Sequence, residues 1–182
     1  GIDNIYELDE DQFNAAIDLL KTQNEYIGEY WSDYTKQIQA FTNGDSTVGT
    51  TWQVINQLLQ ADGQPVDAVL PEEGSTGWSD TWMVSDQAAN PNCMYMWMDH
   101  ITEPKTNAAV AEWFGEAPAN AKSCAETADE NHCDTFHAED TAYWEDVFYW
   151  TTPIEKCLDG RTDVACVTYD EWVKAWAALT SA

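Results

Sequence analysis

Apolar residues recur at helical spacing between Asp9 and Ile27, at Phe13, Ile17, Leu20 and Ile27, with acidic side chains crowding the first turn. That pattern predicts an amphipathic helix. A second, shorter one is expected through Tyr34, Ile38 and Phe41, stopped by Asn43-Gly44. Thr47 to Trp52 (TVGTTW) is short and β-branched and predicts a strand, and Gln53 to Ala61 returns to helix before Asp62-Gly63. VDAVL, Val66 to Leu70, reads as a strand closed by Pro71, and Thr81 to Val84 as a further one. Pro91 to His100 and Pro104 to Phe114 each place proline where a helix tolerates it, near the start. Gly115 to Asp140 reads as loop, and Asp140 to Trp150 as an aromatic helix. Thr168 to Glu171 has the form of a capping box, launching a last helix with Trp172, Val173, Trp176 and Leu179 on one face. Alternating strands and helices imply α/β layering with at least partly parallel strands.

Between the second and third expected strands lies EEGSTGWSDTW, Glu72 to Trp82. Gly74 and Gly77 mark a turn, yet it runs into Trp78, Asp80 and Trp82. With Trp52 at the end of the first expected strand, Trp78 and Asp80 form an aromatic and acidic constellation where open α/β sheets place ligand sites. Indole faces attract cations, by about 0.5–2 kcal/mol, and a carboxylate adds charge-assisted hydrogen bonds to an ammonium group. The same residues also fit core tryptophans beside a turn aspartate. Trp82, beyond the turn, is expected in the core.

Charge narrows the partners. Among 182 residues, 33 are acidic and seven basic, for a net charge of −26, and Arg161 is the single arginine. Nucleic acid and anionic membrane both require a basic footprint, which is missing. The acidity favours a cationic solute, and it also serves solubility. Cys124 and Cys133 enclose eight residues, as do Cys157 and Cys166. Equal, short, polar spacings suggest two local disulfides, each contributing roughly 2–3 kcal/mol, with Cys93–Cys124 as an alternative pairing. Disulfides place the chain outside the cytoplasm. Cys93, beside bulky apolar residues in NPNCMYMWM, is expected as a buried free thiol. His132-Cys133 and His137, near His100, lack the spacing of a zinc site. No nucleophile elbow, phosphate-cradling loop or distinctive acid pair points to an enzyme.

Taken in order, STVGTTWQVINQLL, VDAVLPEEGSTGWSDTWMVS and NPNCMYMWMDHITEPKTNAAVAEWFGEAPAN resemble the extracellular solute-binding proteins of ABC transporters, and within them the polyamine (spermidine/putrescine) branch. The resemblance is strongest between Ser32 and Lys122. It implies a periplasmic-binding-protein-like (type II) lobe, α/β with a mixed sheet flanked by helices, in which ligand is trapped by hinge closure. It carries ligand contacts onto Trp52, Trp78 and Asp80, with Asp80 as the ammonium acceptor, onto Ser32, and more loosely onto Thr151 after Trp150. Where that branch has a tyrosine, this chain has Glu116, a carboxylate suited to a second amine. The segment from Cys124 to Cys166 departs from the branch. Members of the family run longer, so the chain corresponds to a C-terminal portion: residues 1–80 and 126–182 as the second lobe, with 81–125 crossing to the first. Gly1-Ile2-Asp3, read as the approach to a helix, then looks cut into rather than like an export signal. A crossing piece without its partner sheet leaves apolar surface that dimerisation would cover.

The expected function is therefore the substrate-binding component of an ABC importer. It captures a small cationic solute, a polyamine such as spermidine or putrescine, and partners an ABC permease. Neither cofactor nor metal is expected, and no catalysis. The expected location is the periplasm or the cell surface, with a lipid anchor in the full-length protein. The alternatives are a binding protein for another small solute (an amino-acid derivative, a quaternary amine or a sugar), a secreted carbohydrate-active domain using the tryptophans as a sugar platform, and a plain interaction domain.

Overall fold

The computed structural model describes residue 2 and residues 4–181; the expected helix approach at Gly1 and Asp3 lies outside the described residues. Local signals decide where the helices start and stop. Helix α1, Glu10–Gln23, opens with a capping box in which the Asp9 carboxylate accepts from the Gln12 amide and the Gln12 side chain accepts from the Asp9 amide. It gives way to a 3-10 turn at Asn24–Tyr26, one turn before the expected end at Ile27. Asp33 caps α2, Tyr34–Asn43, and Gly44 ends it at φ 76°. Helix α3, Gln53–Ala61, follows directly on Trp52. Helices α4, Pro91–Ile101, and α5, Pro104–Phe114, both carry proline in their first positions, and Gly115 terminates α5 at φ 83°. The stretch expected as loop holds a 3-10 turn, Ala121–Ala125, and one short helix, α6, His132–Thr135. Helix α7 is only Thr141–Glu145, and α8, Tyr169–Thr180, starts on the expected capping box of Thr168 and Glu171.

The strands depart from expectation. Thr47–Trp52, Val66–Leu70 and Thr81–Val84 are irregular, and the sheet is a parallel pair, β1 (Ser75–Gly77) with β2 (Val147–Tyr149). Ser75 lies opposite Val147 and Gly77 opposite Tyr149. β-Branched residues favour a strand only when a neighbour supplies ladder bonds and a face to pack on. Val69, in the second expected strand, is 86 % exposed and has no such neighbour. Val147-Phe148-Tyr149, expected within a helix, instead finds a partner backbone at Ser75–Gly77. Instead of a mixed sheet flanked by helices, the described residues form a helical assembly around a small parallel sheet, which fits a partial lobe of the expected type.

The glycines of EEGSTGW also do something other than bend a loop. A Cβ on Gly74, at φ 80°, would stand 2.5 Å from the Asp146 carbonyl oxygen, and one on Gly77 would stand 2.6 Å from a Val147 methyl. They let two backbones approach closely enough to pair.

Burial holds the helices. Ile55 and Leu59 of α3, Ala108 and Ala111 of α5, and Phe136 are all buried. Full burial of Ile55 or Leu59 is worth about 1.5–3 kcal/mol each. Elsewhere, Phe13 of α1 meets Trp172 of α8 with ring centroids 5.8 Å apart. In the segment before α1, Tyr6 and Leu8 are buried, as is Val167, whose amide donates to the Leu8 carbonyl. Both expected disulfides are present, Cys124–Cys133 and Cys157–Cys166, with Cα separations of 5.8 and 5.3 Å. Within the second loop, Arg161 donates to Asp159 at 2.7 Å and to Asp9 at 2.9 Å, while buried Glu7 accepts from the Asp159 amide at 2.6 Å. This fork ties the disulfide loop to the start of α1.

Cys93 is free but exposed, not buried. Its helix, α4, turns only Ile101 fully inward and leaves Tyr95, Met96 and Trp97 in solvent, so the apolar neighbours that suggested a buried thiol are themselves uncovered. Trp82 is likewise half-exposed, edge-on to Trp97 at 5.4 Å, and does not reach the core.

Candidate functional site

Four elements converge on one face. The segment before α3 is fixed from behind: Gln37 of α2, itself buried, donates from Nε2 to the Thr50 carbonyl, and Gly49 sits against Gln37 and Phe41. That anchorage delivers Trp52 at the entrance to α3, 42 % exposed. From β1 comes Trp78, 53 % exposed, whose ring lies edge-to-face on Trp52 with centroids 5.7 Å apart. The third contributor is Trp31, in the segment before α2, edge-to-face with Trp52 at 5.2 Å. Trp52 thus contacts both of the other indoles, and the three form a cluster. Edge-to-face geometry is what the ring quadrupole favours, and it leaves faces free.

Asp80 follows Trp78 by two residues and is exposed. Glu116 is brought up from the far side by the turn after α5. A Cβ on Gly115 would lie 2.7 Å from a Val54 methyl in the first turn of α3, so this turn is seated directly behind Trp52. The Glu116 carbonyl accepts a 2.9 Å hydrogen bond from the Nε2 of buried His132, whose ring packs on Phe136 at 4.6 Å, and the Cys124–Cys133 disulfide closes the same loop. Partial burial pushes the Glu116 carboxyl above the ordinary glutamate range, and the negative charge of nearby Asp80 pushes it further the same way. The two carboxylates thus feel one another. A cation between them relieves that repulsion, whereas an anion there adds to it.

The sheet completes the arrangement. The Trp150 amide donates to the Gly77 carbonyl at 2.8 Å, which sets exposed Thr151 beside the start of Trp78. Trp150 is itself held by Tyr6 at 5.1 Å and Tyr169 at 5.8 Å. Ser32 is exposed next to Trp31. The structure therefore relates Trp52 to Trp78 by direct contact and Asp80 to Glu116 by mutual charge; Ser32 follows Trp31 in the chain, and Thr151 follows Trp150, whose amide bonds the Gly77 carbonyl before Trp78. Trp31 was missed from the sequence. Its one available signal was the aromatic pair Tyr30-Trp31 immediately before the Asp33 cap.

The residues considered and set aside as zinc ligands have other tasks. Cys133 is in a disulfide, His132 holds the Glu116 turn, and His137 stacks flat on Tyr143 at 3.8 Å. Elsewhere, a concavity of about 620 Å³ opens between the starts of α1 and α8, lined by Glu10, Phe13, Glu155, Asp170, Glu171 and Lys174. It is acidic but has no indole face, and Lys174 offsets part of its charge. Among the described residues, no helix is long and apolar enough to cross a membrane.

A family model described as bacterial extracellular solute-binding protein matches residues 2–135. That span contains Trp31, Trp52, Trp78, Asp80 and Glu116, while Thr151 and the second disulfide lie beyond it.

Proposed function

The chain belongs to the bacterial extracellular solute-binding protein family, and from that membership, which gives it an extracytoplasmic substrate-binding role for an ABC importer, we propose that its solute is a small organic cation of the polyamine type. The observation that carries this reading is the juxtaposition of an indole cluster with two carboxylates that feel each other's charge. Indole faces pack along methylenes and attract ammonium groups. Asp80 accepts charge-assisted hydrogen bonds from the first ammonium, and Glu116 from a second. Affinity comes from stacking, ion pairing and exclusion of water as the site closes. No covalent chemistry is performed, and solute passes to the permease unchanged.

Calorimetric titration of the full-length protein with spermidine and putrescine tests this. Loss of one charge-assisted contact is worth about 1.5–3 kcal/mol, so Asp80→Asn weakens binding roughly ten- to a hundredfold. Trp78→Ala removes stacking and weakens it by a smaller factor. Unchanged affinity in both variants would sink the site. Tight binding of a sugar or a zwitterionic amino acid, with no response to either amine, would replace the polyamine with that solute class.

A further inference from the structure

The segment that leads into Trp52 hangs on one side chain. Residues 47–51 are exposed and, among the described residues, form no backbone–backbone hydrogen bond. The entrance to α3 at Trp52 lacks a side-chain cap as well. A single hydrogen bond reaches residues 47–51 from a distant part of the described chain, from Gln37 Nε2 to the Thr50 carbonyl. Gly49 rests on the same support: a Cβ there would stand 3.0 Å from Gln37 Nε2 and 3.4 Å from the Phe41 ring.

For stability alone, glutamine is a poor choice at this place. Gln37 is 4 % exposed, and its Oε1 is buried without a hydrogen-bond partner. Turning the amide over gives no relief, since it would set Oε1 against the Thr50 carbonyl oxygen, two acceptors facing each other. A buried acceptor left unpaired costs about as much as, or more than, a typical hydrogen bond returns. An apolar side chain of the same length therefore suits the interior at least as well. What an apolar side chain cannot do is hold Thr50, two residues before the indole that touches both Trp31 and Trp78. We propose that Gln37 is a positioning residue for ligand binding, whose half-paired amide is kept because it sets Trp52 in place; this rests on the reading of Trp52 as part of the cation site. An indole placed before the ligand arrives loses less freedom when it binds.

The test pairs calorimetric titration with spermidine and putrescine with urea unfolding, on the full-length protein and its Q37M, W52A, Q37M/W52A and Q60M variants. Methionine keeps the length of glutamine and carries neither the donor nor the orphan oxygen. Q60M is the control, because Gln60 Nε2 makes a like tether, to the Val66 carbonyl at 3.0 Å, on the segment after α3. The expected Q37M protein is as stable to urea as wild type or more so, yet binds both amines roughly two- to tenfold more weakly. In the W52A background Q37M changes affinity no further, since the two act through one indole. Q60M leaves affinity unchanged. A destabilised Q37M, up to one that fails to fold, would make Gln37 an ordinary structural residue and overturn the proposal. So would a Q37M loss that adds in full to that of W52A, or an equal loss in Q60M. Unchanged amine affinity in Q37M would overturn it too, while leaving the cation site standing. A wild-type protein that binds neither amine would instead refute the polyamine reading, and this proposal with it.

Discussion

Gly74→Ala is the sharpest perturbation of the strand that presents Trp78, because the molecule holds its own control. Gly74 and Gly63 have nearly the same backbone, φ 80° and φ 78°. A Cβ at Gly63 meets nothing within 4 Å, whereas one at Gly74 meets the Asp146 carbonyl oxygen at 2.5 Å and the Phe148 ring at 2.9 Å. Both alanine variants incur the left-handed backbone cost, about 1–2 kcal/mol. Only Gly74→Ala also forces β1 and β2 apart, adding about 1–3 kcal/mol for overpacking. It also strains the 3.0 Å bond from the Ser75 amide to the same Asp146 carbonyl, worth about 1 kcal/mol. The expected difference between the two variants is therefore about 2–4 kcal/mol, or roughly 4–16 °C in Tm for a chain of this size. Urea unfolding followed by tryptophan fluorescence measures it. Amine affinity should fall in Gly74→Ala and hold in Gly63→Ala, since only the first moves Trp78. Equal destabilisation of the two would refute the claim that close approach of the strands, rather than backbone conformation alone, requires glycine at 74.

Other consequences are open to measurement. Glu116 has its native pKa raised by burial and by Asp80, so its contribution to stability is fully present below the ordinary glutamate range and is lost as pH rises through the raised value. Glu116→Gln should accordingly melt higher than wild type at pH 7 in the absence of ligand, with the gap closing in acid; a gap independent of pH would contradict this. Replacing Cys124 and Cys133 with serine removes roughly 2–3 kcal/mol of stability and should also weaken amine binding, because the same loop carries the His132 bond to the Glu116 turn. The corresponding change at Cys157 and Cys166 should lower Tm in thermal melts but leave affinity alone. With a net charge of −26, self-repulsion is strong, and Tm should rise with added sodium chloride as screening sets in; a flat salt profile would show that the carboxylates are already well separated.

Much of the helical skeleton was legible from local chemistry. Capping residues, prolines at helix starts and glycines at helix ends act within a turn or two, so Gly44, Pro91, Pro104 and Thr168 announce their elements without help from the rest of the chain. The two disulfides were legible for the same reason, each closing a short loop. The strands were not, because a ladder needs a partner that primary structure does not name. VDAVL had the right composition and found no neighbour; STG had the wrong composition and found Val147–Tyr149, over a gap that Gly74, just before the strand, and Gly77 within it allow.

The candidate site divides along the same line. The residue types were readable, since indoles and carboxylates advertise affinity for cations wherever they stand, and a family pattern marked Trp52, Trp78, Asp80 and Glu116. Their assembly was a tertiary event. Gly115 against Val54 brings Glu116 up to the start of α3, Trp150 against Gly77 aligns the strand before Trp78, and Trp31 meets Trp52. Each is a contact between distant parts of the chain, decided by shape and burial. Sequence alone determined the chemistry available to this protein; packing decided which of its ten tryptophans stand together and that Asp80 and Glu116, among its 33 acids, share a field.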